Sequence, residues 1–145
     1  MNRRAFFATA TGAAICAPFI ATEARAAYEQ VRLRELYNTD MSFTDYALEK
    51  EGQRVSIVGY MAPPLKAEST FYVLTNRPMA VCPFCESEAE WPDDILAVYA
   101  RRVIDVVPFN VMIATTGTLE LGTYKDPELG FVSRVRLTDA FQERV

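Results

Sequence analysis

From Arg54 onward the chain falls into short apolar runs divided by polar or turn-forming residues, a spacing that predicts strands rather than long helices. Arg54–Met61 (RVSIVGYM) is rich in β-branched and aromatic residues and stops at Pro63-Pro64. Phe71–Thr75 (FYVLT) follows across a polar turn. Ile95–Tyr99 (ILAVY) reads as a third strand, although a helix starting near Asp93 competes with it. Val111–Leu121 holds a fourth, with Gly117 and Gly122 marking a bend or bulge. In Phe131–Leu137, Phe131, Ser133, Val135 and Leu137 share one side and Arg134 and Arg136 the other; Asp126-Pro127-Glu128-Leu129-Gly130 is the turn before it. Upstream, Ser42 as N-cap, the shared face of Phe43, Tyr46 and Ala47, and Gly52 as stop predict a short helix near residues 42–50. Residues 27–37 mix both patterns, and their state stays open.

This pattern predicts a mainly β domain: a small five-stranded OB-like barrel with one or two short helices, spanning residues 27–145 without repeat or linker. Closure would remove the exposed strand edges that favour aggregation.

The first 26 residues have another character. Arg3-Arg4 precedes Phe6-Phe7, a run without charge extends from Ala5 to Ala21, and Ala24-Arg25-Ala26 offers a small-x-small cleavage site. That is the layout of a cleaved export signal, and the paired arginines select the twin-arginine type, which predicts a periplasmic protein. An uncleaved anchor competes, but this weakly apolar run is at the short edge of what spans a bilayer. Lipid attachment at Cys16 fits poorly, because Ile15 stands where a small residue is expected. Cleavage leads us to expect no stable membrane insertion.

Composition narrows the chemistry. The chain of 145 residues contains no histidine, which excludes Ser-His-Asp, Cys-His and HExxH machinery within it. It carries 15 basic and 19 acidic residues. Removing the leader takes away Arg3, Arg4, Arg25 and Glu23 and leaves 12 basic against 18 acidic, a net charge of −6 that argues against nucleic acid as partner.

Two cysteines then remain, Cys82 and Cys85, in a loop from Asn76 to Pro92 that is long for a compact domain. Met79 precedes Cys82 by three residues, and Glu86, Glu88, Asp93 and Asp94 follow. Three readings stand side by side. Met79, Cys82 and Cys85 could converge on a soft ion such as Cu(I), or on Zn²⁺ if carboxylates complete the set. The two thiols could form a disulfide stiffening the loop, as is common in oxidising compartments. Or they could exchange disulfides, since Cys82-Pro83-Phe84-Cys85 resembles the glutaredoxin active site. The context disagrees with the last: Pro108 lies only 23 residues after Cys85 and the C-terminal third reads as strands, unlike a thioredoxin-like scaffold. Tyr60, Met61, Phe84 and Trp91 are candidates for a binding surface, and Tyr60, Tyr72 and Tyr99 for an aromatic face.

Gly52-x-x-Val55-x-Ile57-x-Gly59-Tyr60-Met61-x-Pro63, then Phe71-Tyr72-Val73-Leu74, a cysteine loop and Gly117-Thr118-Leu119, resembles a family of small exported bacterial domains that carries only a domain-of-unknown-function label. The resemblance covers roughly residues 50–137. It implies an OB-like barrel in the periplasm, in the company of transport systems for metals or other solutes, and no established activity. The expectation is a periplasmic binding or accessory protein whose partner is a periplasmic protein or transporter component, with a copper or zinc ion handled through Met79, Cys82 and Cys85. A thiol-disulfide oxidoreductase using Cys82 and Cys85, and a structural disulfide on a protein-interaction domain, are the alternatives.

Overall fold

The computed structural model describes residues 28–64, 66–80 and 94–145. Arg3, Arg4, Ala24 and Ala26 of the expected export signal, and Cys82, Phe84, Cys85 and Trp91 of the expected cysteine loop, lie outside them. Among the described residues, no helix is long and apolar enough to cross a membrane.

The chain is mainly β. Strands β1 (Gln30–Arg32), β2 (Arg54–Met61), β3 (Phe71–Thr75), β4 (Ile95–Ala100), β5 (Met112–Lys125) and β6 (Val132–Arg144) form one sheet of order β1-β2-β3-β4-β6-β5. This is one strand more than the five predicted. The addition is β1, whose three residues are too few to show a period; it pairs parallel to Ser56–Val58 of β2. A single 3-10 turn (Leu33–Leu36) and helix α1 (Asp45–Lys50) fill the segment between β1 and β2.

The helix starts later than the sequence suggested. Its N-cap is Thr44, whose hydroxyl accepts from the Ala47 amide at 3.3 Å. Ser42 instead donates its amide to Asp40 Oδ1 at 3.1 Å, in a loop where Met41 takes a positive φ. Gly52 does mark the stop: its φ of 77° suits glycine, and its amide reaches the Leu119 carbonyl at 2.8 Å.

Strand β2 has partners on both edges. Residues Arg54–Tyr60 pair antiparallel with Thr118–Met112 of β5, while Tyr60 and Met61 pair with Thr75 and Leu74 of β3. Strand β3 continues into β4, β4 runs parallel to β6, and β6 pairs antiparallel with β5. The main core gathers side chains from all of these strands, including Ile57, Met61, Leu74, Leu96, Ile113 and Leu137, each fully buried. Within it the Tyr72 hydroxyl meets Thr115 Oγ1 at 2.7 Å, which satisfies both groups; burial pushes the Tyr72 phenol well above its ordinary value.

Strands β3 and β4 are buried on both faces. Tyr72, Leu74, Leu96 and Val98 belong to the main core, while Phe71, Val73, Ile95 and Ala97 form a second cluster with Ala62 and Phe131. This explains the continuous apolar runs FYVLT and ILAVY, because a strand covered on both sides has no polar side to alternate. It also corrects the expected tyrosine face. Tyr72 is inside the core, and Tyr99, directly opposite Phe71, is on the other face with Phe71 and Tyr124.

The turn between β5 and β6 is built as its sequence predicts. Asp126 Oδ1 accepts from the amides of Glu128 at 2.8 Å and Leu129 at 2.7 Å, and Gly130 closes the turn at a φ of 69°. Burial alone would raise this carboxyl, but the two amide bonds outweigh it and hold the carboxyl below its ordinary value. A depressed folded-state value means that Asp126 stabilises the fold above its unfolded value of about 3.9 and ceases to do so as pH falls through the folded one. Asp126→Asn keeps the shape and one acceptor but loses the charge. At pH 7 it should cost roughly 1–2 kcal/mol by urea unfolding, and the gap to wild type should close in strong acid. An equally wide gap at both ends of the range would contradict this account.

Candidate functional site

In the sequence Cys82 and Cys85 stand between β3 and β4, and the described residues nearest to them are at the facing ends of those strands. Thr75 pairs with Ile95 as the last rung. Beyond it the Asn76 amide bonds the Asp94 carbonyl at 2.9 Å, and Arg77 Nη2 meets Asp94 Oδ2 at 3.0 Å. The buried Thr75 hydroxyl lies 3.2 Å from the Tyr60 carbonyl and 2.7 Å from that of Arg77, tying the neck to β2. The described residues on either side of the cysteine segment are therefore bonded to each other and to β2, forming a neck.

At this base the sequence expectations divide. Tyr60 is half-buried and directly opposite Thr75, so it belongs to the neck. Met79 is half-buried three residues beyond Asn76. Met61, expected on the binding surface, is fully buried in the main core, because the pleat that leaves Tyr60 partly open turns its neighbour inward. Asp94 brings an unexpected feature. Its Oδ1 is buried and has no hydrogen-bond partner among the described residues, whereas Oδ2 is paired with Arg77. A buried carboxylate oxygen left unpaired is costly, and such atoms mark strained, catalytic or ion-binding positions. Among the described residues, no three Cys, Asp or Glu side chains form a cluster that could hold a metal, so a site here needs ligands from the cysteine segment itself.

Comparison with known proteins adds little to this geometry. No family model matches the chain, and no curated protein matches it. Among solved structures, it is similar to a DUF3299 family protein from Pseudomonas aeruginosa PAO1, with a TM-score of 0.48 and 13% sequence identity, over 82% of this chain and 98% of that one.

A concave surface elsewhere on the molecule was not foreseen from the sequence. At the far end of β4, Arg101 grips Asp139 with two bonds, Nε to Oδ1 at 2.6 Å and Nη2 to Oδ2 at 2.8 Å. Arg54 Nη1 reaches the same carboxylate at 3.1 Å and Nη2 the Asp139 carbonyl at 3.2 Å. Both guanidiniums lie over the Phe141 ring, at 5.8 and 6.0 Å from its centroid. Bonding to Arg101, reinforced by Arg54, holds the Asp139 carboxyl below its ordinary range. This knot joins the start of β2, the end of β4 and β6, and it forms one side of an open groove of about 1320 Å³. The adjacent Arg101-Arg102 was the only local hint, since the other residues meet only through the register of β4 and β6.

Proposed function

We propose that this chain is an exported OB-like barrel that acts in the periplasm as a metal-binding accessory protein, associated with a transport system. The barrel reading is supported by the double pairing of β2, which links β2, β3, β4, β6 and β5 into a ring. The paired arginines and Ala24-Arg25-Ala26 support export and cleavage. The observation that carries the metal reading is the buried Asp94 Oδ1, which has no hydrogen-bond partner among the described residues, beside the segment containing Cys82 and Cys85. Met79, Cys82 and Cys85 offer a sulfur set suited to Cu(I), and Asp94 adds the carboxylate that Zn²⁺ accepts beside thiolates. Binding would give Oδ1 the partner it lacks among the described residues, while Oδ2 keeps its ion pair with Arg77.

Protein isolated from the periplasm under anaerobic conditions tests this directly. Its intact mass should correspond to cleavage after Ala26, and it should take up one equivalent of Cu(I) or Zn²⁺. The Cys82→Ser/Cys85→Ser protein should lose that uptake, and Asp94→Asn should weaken Zn²⁺ more than Cu(I). If alkylating both cysteines leaves the metal content unchanged, or if isolated protein always carries an intact Cys82–Cys85 disulfide, metal handling at this segment is wrong.

A further inference from the structure

We propose that the groove beyond the end of β4 is a docking site for an extended acidic segment of a partner protein, with apolar side chains between its carboxylates. Its size points to a chain: about 1320 Å³, open along one side, exceeds the roughly 300–1,000 Å³ of small-molecule pockets.

Charge points to acid. Arg54, Arg101, Arg102 and Arg144 surround the groove against Asp105, Asp139 and Glu143, in a chain where acidic residues outnumber basic ones 19 to 15. One carboxylate, Asp139, is shared by Arg54 and Arg101, so that pair keeps a positive charge to spare while being held in fixed orientation. Arg102 and Arg144 are exposed, and no ion pair involves them among the described residues.

The walls supply the apolar component. Val103 and Val106 line the groove yet remain 55% and 64% exposed, above a floor that includes the fully buried Ile113. Two neighbouring open valines flanked by free arginines suit alternating apolar and acidic side chains of an extended peptide. A nucleic acid strand would meet the acidic remainder of the molecule and place phosphates against valine.

None of the described residues that line the groove belongs to the neck of the cysteine segment, and Arg101, Arg102, Val103 and Val106 follow Ala100, at the end of β4 opposite to Ile95. The inference therefore stands apart from the metal reading.

Fluorescence anisotropy with the mature chain tests it, using a short labelled peptide that alternates glutamate with valine and a counterpart with lysine in place of glutamate. The acidic peptide should bind, the basic one should not, and added NaCl should weaken binding. Arg102→Glu/Arg144→Glu, at exposed positions that leave the core intact, should reduce affinity roughly tenfold or more. Val106→Asp should weaken it without changing the circular dichroism, and Cys82→Ser/Cys85→Ser should leave it unchanged. Absence of binding, equal binding of both peptides, equal binding of a labelled oligonucleotide, or wild-type affinity in the double arginine variant overturns the proposal. So does a dimer in sedimentation velocity that Arg102→Glu/Arg144→Glu dissolves, since the groove would then be an interface between copies.

Discussion

Gly59→Val should destabilise the protein by about 3 kcal/mol or more and lower its thermal midpoint by roughly 10 °C. Gly59 lies on β2 where β3 comes across to pair with Tyr60 and Met61. A Cβ placed there would be 2.6 Å from the Thr75 carbonyl oxygen and 3.0 Å from Leu74 Cγ. The nearer atom belongs to the backbone and cannot rotate away, so the strands must separate. The β2–β3 junction has two residue pairs and one further backbone bond, from the Ala62 amide to the Val73 carbonyl at 2.9 Å, so a short ladder resists separation. Gly59→Ala should show a smaller loss in the same direction. Gly122→Ala is the control: φ is 100° there and nothing lies within 4 Å, so its cost of about 1–2 kcal/mol reflects backbone conformation alone. If Gly59→Val unfolds with wild-type parameters, the close approach of β2 and β3 is wrong. The approach also bears on the neck, because Thr75, whose carbonyl Gly59 accommodates, bonds the Arg77 carbonyl through its hydroxyl.

The same glycine shows what was readable in advance. Strands β2 and β3 begin and end where the sequence placed them, because Gly52 and Pro63-Pro64 bound a run whose residue types favour pleated backbone. Strands β5 and β6 run on to Lys125 and Arg144, beyond the predicted Leu121 and Leu137. The apolar pattern fades there although pairing continues. Past the register shift at Leu121/Tyr124, the β5 side chains are exposed, and the ladder is supported by Arg136, which bonds Glu120 at 2.9 Å and lies 4.8 Å from the centre of the Tyr124 ring. Ser42 and Thr44 are both credible caps. The choice of Thr44 depends on the Glu35 carbonyl, 2.8 Å from its hydroxyl and contributed by the 3-10 turn, a tertiary fact absent from the local pattern.

The candidate sites divide along the same line. The neck was partly legible, since Tyr60, Met79 and the acidic run could be singled out by residue type and spacing. The Asp94 oxygen without a partner among the described residues could not, because pairing is a property of surroundings. The arginine knot was invisible for a related reason: Arg54 and Asp139 are 85 positions apart, and only the parallel pairing of β4 with β6 brings Arg101 to the same carboxylate.

Leu96→Ala should cost about 2–5 kcal/mol in urea unfolding, among the largest losses available to a single core truncation here. Leu96 is fully buried on β4, which is flanked by β3 on one edge and by β6 on the other, with Leu74 opposite it in the β3 register. Removing its side chain opens a cavity that backbone movement can fill poorly, because both edges of the strand are held by ladders and Ile95 and Ala97 on its other face are buried in the second cluster with Ala62 and Phe131. Leu129→Ala provides the comparison. Leu129 is only partly buried and packs on the second cluster from the β5–β6 turn, so its loss should cost about 1 kcal/mol or less. A large difference between these leucines means that the apolar run ILAVY is the centre of the molecule, sandwiched between two clusters. Equal costs would mean that β4 has one solvated face, and then the firm base inferred beside the cysteine segment would lose its support.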